Sequence, residues 1–469
     1  MKRKWLLFPV ACCFAACINE SLFERNVNEK NHKEPMIHVI DHSLTQLDLI
    51  RKVAEQFCTN EIDTRSNSEV RQIKEIIPLN RENNEPSMYI VNFMNNKGWI
   101  IVSATTNYTP VLAFNNTGNF KIPESYRNGI KLWFEETDTI MAHINQSPDS
   151  VKASYQIQWL PYMIKEIPIS DIATTRGSIE EVLDFINTSS EDWISDGYQP
   201  IALDGFRNMY YYYYVSDNLM NTISSNAQSY GTNNYGGVDY TSFVLVKQAD
   251  LVYDVDTMVT ARWGQDGLFR PLQIPTNRKI GCQPVAMGQI MNYWKYPTIF
   301  DWENITDGPS ITTSDFLYEV GLANGIDYTD PNGTSGATTE DAVNAFHNYG
   351  YTNATKISHN INTVLNNLNS HRPVFMRGDT SSGEGHAWVC DGKRHRIYGY
   401  EIVLKTLQSP SSFYTINYGP VYYQYPNIYL HYNWGYEGNG NGFYYYNTNP
   451  SVNGNTYNYN RAEIVNIYH

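Results

Sequence analysis

Residues 281–294, GCQPVAMGQIMNYW, place a cysteine at the start of a predicted helix. Proline is tolerated only in the first turn of a helix, so Pro284 sets the helix start at or next to Cys282. The exposed N–H groups and the positive dipole end at that place favour a thiolate over a thiol. The stretch therefore indicates a reactive cysteine, with an inert core cysteine as the alternative.

A histidine follows about a hundred residues later. Residues 383–392, GEGHAWVCDG, put His386 between glycines at the entry of a short apolar strand. Imidazole can take up and return a proton near neutral pH, which is what a thiol nucleophile requires of its base. Because His386 is one of 11 histidines, a structural role is the alternative for this residue taken alone.

Two further segments supply the other groups of such a site. Asn433, in the stretch HYNWGYEG (431–438), could orient the imidazole by its side chain or backbone, while Trp434 shields the contact from water. The amide of Gln265, in the tripeptide WGQ, could donate to the oxyanion formed in acyl transfer. The order along the chain is Gln, Cys, His, Asn.

This order of motifs resembles the papain-like cysteine peptidases, and more narrowly the streptopain family of bacterial peptidases. The matching segments are residues 281–291, Tyr296-Pro297, 385–392 and 433–435, within a region of roughly 254–469. The resemblance implies an α+β papain-like catalytic domain with a helical part and an antiparallel β part. It also implies endopeptidase activity without metal or cofactor, with Cys282 as nucleophile, His386 as general base and acid, and Gln265 in the oxyanion hole.

Residues 44–144, before the region of these motifs, show a pattern of predicted helices and strands. Apolar residues at helical spacing predict helices over 44–57 and 130–144, and residues 89–93 and 98–102 flank a predicted turn between two strands. Residues 98–104, 110–114 and 118–120 resemble the inhibitory propeptide of the same family. That resemblance implies a zymogen whose own propeptide is an intramolecular inhibitor and whose substrates are proteins or peptides.

The sequence departs from the family pattern at three places. Residues 266–271 intervene after Gln265, Pro284 stands where relatives carry a small residue, and Tyr436-Glu437 replaces a Trp-Gly pair. We expect these changes to affect the walls of the cleft, and hence specificity, more than the chemistry.

Two other functions are compatible with the motifs. A papain-like transglutaminase or amidase would use Asp391 as the third member of a triad with Cys282 and His386, although Asp391 is also typical of a turn before Gly392. An inactive binding lipoprotein would present the tyrosine-rich surface, formed by many of the 37 tyrosines, as its ligand face.

The N-terminus has the features of an export signal. Lys2, Arg3 and Lys4 precede a short apolar stretch that ends in Ala15-Ala16-Cys17, which resembles a bacterial lipobox. This predicts a lipoprotein signal peptide over 1–17, acylation of Cys17 and a membrane contact through that lipid anchor only. The protein would then be an outer-membrane or cell-surface lipoprotein, with release after processing as a further option.

Length, charge and cysteine content exclude several other classes of protein. The 469 residues allow about three domains, and a net charge of −14 without a basic stripe argues against nucleic acid as a partner. The three cysteines beyond the signal, Cys58, Cys282 and Cys390, form neither a disulfide framework nor a metal site.

The chain is predicted to divide into five segments: a signal peptide (1–17), a tether (18–36), an inhibitory propeptide domain (37–170), a tyrosine-rich connector (171–250) and a catalytic domain (251–469). Within the connector, Tyr210–Tyr214 is predicted as a strand, and Asn221–Gly237 as a loop-like linker. Activation cleavage is expected in that loop or at Lys247.

Overall fold

The computed structural model describes residues 36–40, 44–62, 71–80, 85–121, 129–168, 197–203, 206–207, 210–230, 242–329, 336–379, 385–409, 412–423, 427–446 and 460–469. The predicted signal peptide 1–17 with Cys17, and nearly all of the tether 18–36, lie outside the described residues. No helix among the described residues is long and apolar enough to cross a membrane.

Nine α-helices are described, in chain order: α1 (Gln46–Ile62), α2 (Gly129–Gln146), α3 (Asp149–Gln156), α4 (Leu160–Met163), α5 (Asp217–Tyr230), α6 (Cys282–Trp294), α7 (Ile311–Ala323), α8 (Thr339–Asn348) and α9 (Ile361–Asn369).

The described strands are β1 (Met36–Ile40), β2 (Ile73–Asn80), β3 (Pro86–Phe93), β4 (Trp99–Ser103), β5 (Val111–Asn115), β6 (Ile164–Pro168), β7 (Gln199–Ala202), β8 (Ser242–Gln248), β9 (Leu251–Val252), β10 (Thr355–Ser358), β11 (Val374–Asp379), β12 (Gly385–Ile397), β13 (Gly399–Ser409), β14 (Ser412–Tyr422), β15 (Asn427–Asn433), β16 (Gly442–Tyr446) and β17 (Ala462–Val465).

The chain forms two compact units. The larger unit contains what we call the N-terminal part (46–159) and the C-terminal part (252–396 and 426–469). The smaller unit contains the described residues within 36–45, 160–251 and 397–425. The predicted catalytic domain 251–469 is therefore interrupted, because residues 397–425 fold with the smaller unit.

The N-terminal part is an antiparallel meander of β2, β3, β4 and β5 with helices packed on it. The predicted hairpin is confirmed: β3 and β4 pair from Asn92 opposite Trp99 to Met88 opposite Ser103. Asn95, Asn96 and Gly98 in the turn have positive φ, as such a reversal requires. Helices α1 and α2 confirm the two helices predicted here.

The sheet of the N-terminal part continues into that of the C-terminal part. Strand β5 pairs antiparallel with β16, with Phe443 opposite Phe114 and Tyr444 opposite Ala113. Beside this junction, a Cβ on Gly442 would lie 2.7 Å from the carbonyl oxygen of Phe114 and 2.7 Å from the Trp99 ring. Because one aromatic core crosses the junction, the two parts share their hydrophobic burial.

The C-terminal part combines helices with an antiparallel sheet, which confirms the α+β fold class. Strands β17, β11, β12, β15 and β16 follow one another in the sheet. Helix α6 is buried over residues 283–292 and packs in a core with residues of α7, α8 and β11. Strand β12 and the start of α6 thus carry the two predicted site residues into the same unit.

The smaller unit corrects the prediction for the connector. Asp217–Tyr230 is a helix where residues 221–237 were predicted as a loop, and residues 231–237 lie outside the described ranges. The Ser- and Asn-rich sequence forms this helix because Met220, Ile223 and Ala227 bury one face against the sheet residues Val244 and Ile402.

One further prediction for the connector is wrong, and the cleavage site stays a prediction. Tyr210–Tyr213 is a 3₁₀ turn and not a strand. The expected cleavage site Lys247 lies within β8, where it pairs with Glu401 of β13, so its backbone is not presented as a loop. The sheet of this unit has the order β14-β13-β8-β7.

The tight approach at Gly442 gives a test of the β5–β16 junction. We expect Gly442→Ala to lower the free energy of unfolding by about 1–3 kcal/mol, because the methyl group must displace strand β5 or the Trp99 ring. Urea unfolding followed by tryptophan fluorescence measures the change. Gly308→Ala is the control, since a Cβ there meets no atom within 4 Å. Equal stability of the two variants would contradict the close pairing of β5 with β16 at Gly442.

Candidate active site

The cysteine opens α6 as predicted. Gly281 precedes it with φ 101°, a conformation that glycine adopts without strain, and the helix begins at Cys282. The backbone N–H of Ile280 donates to the Gln265 carbonyl oxygen at 2.8 Å. This bond holds the segment that carries Gln265 beside the start of the helix.

Cys282 is half-buried, and its thiol lies beside β12. Burial raises the pKa of the Cys282 thiol, and the strongest opposing influence is a hydrogen bond with the backbone amide of Ala387. Ala387 directly follows His386 in the strand. The structure therefore brings the thiol and the histidine to one place, as the sequence predicted.

Both ring nitrogens of His386 are engaged. Nε2 donates to the backbone carbonyl of Trp434 at 3.0 Å, and since that carbonyl can only accept, the proton resides on Nε2. Nδ1 is then an acceptor, and the hydroxyl of Tyr436 lies 3.2 Å from it. Burial lowers the pKa of His386 to about 4, opposed by the hydrogen bond to Trp434.

The electrostatics favour an uncharged site. Burial acts against the charged form of each group, so the thiol of Cys282 and the imidazole of His386 are both neutral in this conformation. A thiolate–imidazolium pair requires water or another stabilising group to reach the site.

The structure changes the predicted role of Asn433. Its Nδ2 donates to the carbonyl of Ala261 at 2.9 Å, and its Oδ1 accepts from Gln289 at 3.1 Å and from the Gly435 amide at 3.3 Å. The Asn433 amide thus fixes the loop and α6, and the group that holds the imidazole is the carbonyl of the next residue. The side chain of Trp434 is buried, with its ring centroid 6.4 Å from that of His386.

Tyr436 is the site residue that sequence reasoning assigned incorrectly to the cleft wall. Its ring stacks on the His386 imidazole, with centroids 5.1 Å apart and planes at 17°. Its hydroxyl also has a hydrogen bond with the side chain of Gln265. The signal that could have identified Tyr436 was its departure from the family pattern. The sequence does not show that this tyrosine reaches His386, because that contact depends on how the chain leaves β15 beside β12.

Asp391 lies in a different environment. It belongs to β12 rather than to a turn, its Oδ2 accepts from the backbone amides of Met258 and Val259, and its Oδ1 is 2.5 Å from Nδ1 of His431. These contacts occupy both oxygens of the carboxylate with groups other than His386, so the structure does not support the alternative triad of Cys282, His386 and Asp391.

A buried ionic cluster connects the N-terminal and C-terminal parts. Glu136 of α2 forms a hydrogen-bonded ion pair with Arg461, and both side chains are buried. In the same cluster, Glu463 pairs with Nδ1 of His359, and Nε2 of that histidine contacts the Tyr446 hydroxyl at 3.0 Å. Burial raises the pKa of Glu136, whereas Arg461 and then His359 lower it.

Among the described residues, no group of three His, Cys, Asp or Glu side chains could hold a metal ion. The contacts described above define a candidate site of Cys282, His386, Gln265 and Tyr436, with the Trp434 carbonyl behind the imidazole.

Comparison with known proteins gives two family matches. Residues 298–444 match the model of the Peptidase C10 family, a range that includes His386 and Trp434 and begins after Cys282. Residues 43–141 match the model of the Spi protease inhibitor.

Among solved structures, the chain is similar to a fragment of prointerpain A from Prevotella intermedia in a Cys-to-Ala mutant form. The two are 16% identical with a TM-score of 0.44, over 85% of this chain and 99% of that chain. None of the curated proteins compared with the chain matches it. The two matches identify a Peptidase C10 domain, the type found in cysteine peptidases, and an inhibitory propeptide domain of the Spi type ahead of it in the chain.

Proposed function

We propose that the chain hydrolyses peptide bonds through Cys282 as the nucleophile and His386 as the general base and acid. The observation that carries this assignment is the hydrogen bond between the Cys282 thiol and the backbone amide of Ala387, the residue after His386. Cys282 is also the first residue of α6, so its thiol lies at a helix N-terminus. Gln265 is the proposed side-chain donor to the oxyanion, since the bond between Ile280 and its carbonyl holds it beside the nucleophile.

The reaction proceeds in two halves. The thiol proton passes to Nδ1 of His386 as the sulfur attacks the carbonyl carbon, and the negative charge on the carbonyl oxygen is stabilised by Gln265. The departing amine takes the proton from His386 as the C–N bond breaks, which leaves a thioester. Water then gives a proton to the same nitrogen, attacks the thioester, and the thiol is restored. The Trp434 carbonyl keeps Nε2 protonated throughout, so that Nδ1 is the basic nitrogen.

The conformation described is the inhibited one. Burial keeps Cys282 and His386 neutral, and the propeptide shares both its sheet and its aromatic core with the catalytic part. The propeptide would lose these contacts on cleavage. Cleavage within residues 231–241, between α5 and β8, is the site that we favour, because the bond at Lys247 lies in a paired strand.

We further propose that the protein is exported and anchored by acyl chains on Cys17, facing the outside of the cell. The basic head at residues 2–4, the short apolar stretch and the Ala15-Ala16-Cys17 ending support this location. Processing between the propeptide and the catalytic part would release the latter from the anchor.

The first test is replacement of the nucleophile. Cys282→Ala should abolish hydrolysis of casein and self-processing, because it removes the thiol that forms the thioester. Cys390→Ala is the matched control: it removes a second free cysteine, which is buried in β12. The proposal fails if Cys282→Ala retains activity, or if the two variants lose activity equally while both remain folded.

The second test addresses the ionic cluster that attaches the propeptide. Glu136→Gln removes the carboxylate that interacts most strongly with the buried Arg461 guanidinium, and breaking such a pair costs up to about 3–5 kcal/mol. We therefore expect faster conversion of the precursor to the processed enzyme, measured by the time course of self-cleavage on gels. Glu303→Gln, the same change at an exposed carboxylate, is the control and should process as the parent does. An unchanged rate of self-cleavage in Glu136→Gln would contradict the proposal that this ion pair attaches the propeptide to the catalytic part.

The third test uses pH. The pKa of His386 is about 4 in the closed site, whereas a histidine released to water has a pKa near 6.5. The opened or unfolded chain therefore binds more protons between these values, so the stabilisation is complete above about pH 6.5 and is lost as pH falls towards 4. The total loss expected from this one group is about 3 kcal/mol.

Urea unfolding of the Cys282→Ala precursor at pH 7 and pH 4.5 measures this loss without self-cleavage. His386→Gln in the same background has no titrating ring, so its stability should change less between the two pH values. An identical change in both proteins would contradict the lowered pKa of His386.

A further inference from the structure

Tyr436 is the residue that the proposed mechanism does not use, although its hydroxyl touches two of the groups that the mechanism needs. We propose that Tyr436 is a positioning residue that keeps the peptidase closed: it occupies Nδ1 of His386 and the Gln265 amide until the propeptide releases the loop that carries it. This inference rests on the proposed roles of Cys282, His386 and Gln265, and the test below separates its failure from theirs.

The direction of the hydrogen bonds follows from the donors. Because Nε2–H of His386 donates to the Trp434 carbonyl, Nδ1 has only a lone pair to offer, and the Tyr436 hydroxyl must donate to it. The phenol oxygen can then accept from the side-chain amide of Gln265, with which it is hydrogen-bonded. One hydroxyl thus connects the proposed oxyanion donor to the proposed base.

Both contacts oppose catalysis. A thiol can pass its proton to Nδ1 only when that lone pair is free, and here it accepts from a phenol. The Gln265 amide, in turn, gives the phenol oxygen the hydrogen bond that an oxyanion would need. The stacked ring adds a steric restriction, because it lies parallel to the imidazole at 5.1 Å. Tyr436 must move before a substrate carbonyl can use these groups.

The backbone holds Tyr436 in this position. Glu437, the next residue, donates its N–H to the carbonyl of Trp263, 3.1 Å away, close to Gln265. The amide of Asn439 donates to the Tyr436 carbonyl at 2.9 Å. Four loop residues, Gly435, Glu437, Gly438 and Gly440, have positive φ, and Glu437 is the one that does so with a side chain. The loop is therefore sharply folded and closely attached to the Gln265 segment.

The propeptide contacts the other end of the same loop. The side-chain amide of Asn115, at the end of β5, donates to the Asn441 carbonyl at 2.6 Å. Asn441 in turn accepts the Trp434 amide on its Oδ1 at 3.0 Å, and this tryptophan supplies the carbonyl bound to His386. Gly440 packs against Ile130 of α2 so closely that a Cβ would overlap it. Departure of the propeptide thus removes two supports of the loop.

The experiment measures how fast iodoacetamide alkylates Cys282 in the uncleaved full-length chain, by mass spectrometry, as a function of pH. Tyr436→Phe keeps the ring and removes the hydroxyl. We expect alkylation to accelerate on the order of tenfold, the effect of losing one hydrogen bond. Since the donor to Nδ1 is gone, His386 becomes more basic, and the pH of half-maximal alkylation should fall by about one unit.

Tyr253→Phe is the matched control, because Tyr253 is exposed and its ring lies near another histidine, His395. It should leave both the rate and the midpoint unchanged. Asn115→Ala removes the propeptide's hydrogen bond to the loop and should accelerate alkylation in the same direction as Tyr436→Phe, which tests the coupling without altering the site.

Two results would overturn the inference. One is an unchanged alkylation profile in Tyr436→Phe. The other is a loss of about 10²-fold in kcat of the processed Tyr436→Phe enzyme with no gain in precursor alkylation, which would make the hydroxyl an oxyanion donor instead. In either case the proposed function stands if the processed parent hydrolyses casein and Cys282→Ala does not. It fails separately if Cys282→Ala remains active.

Discussion

The antiparallel register between β12 and β15 is the constraint on which the site depends. Val389 lies opposite Asn433, the last residue of β15. The chain that leaves the strand there brings the Trp434 carbonyl and the Tyr436 hydroxyl to His386. A shift by one residue would turn every side chain of the strand to the other face. The imidazole, the carbonyl that orients it and the hydroxyl that caps it are all consequences of this one pairing.

The register is in turn stabilised by burial. Trp388, Tyr432, Trp434 and Tyr444 form a contiguous aromatic group in the core shared with the propeptide. Such rings bury large areas and fix their neighbours in preferred geometries. The propeptide adds strand β5 at the edge of the sheet, next to β16, so that this edge is paired and not exposed. Inhibition and folding therefore use the same interface.

The closed site also illustrates how burial opposes reactivity. The helix N-terminus and the backbone amide of Ala387 favour a thiolate at Cys282, as the sequence suggested, but burial is the larger influence and acts against it. For His386, too, burial is the larger influence. It lowers the pKa of the imidazole and so disfavours the charged form, against the hydrogen bond to Trp434. The precursor thus contains the groups of the proposed reaction and holds the thiol and the imidazole in uncharged form, because charge separation in a dry site is costly.

The sequence by itself determined the local features: the helix start at Cys282, the β3–β4 hairpin, the helices of the propeptide and the order of the site residues along the chain. Each of these depends on nearby residues, such as Pro284 or the Asn95–Gly98 turn, whose conformational preferences act within a few positions. The roles that need long-range pairing were decided by the tertiary structure alone.

The Asn433 amide binds Ala261 and Gln289, Asp391 pairs with His431, and Tyr436 reaches His386. The helix Asp217–Tyr230 likewise forms only because distant strands bury one of its faces. A side chain's chemistry can be read from its identity, but its partner is set by which strands and helices pack together.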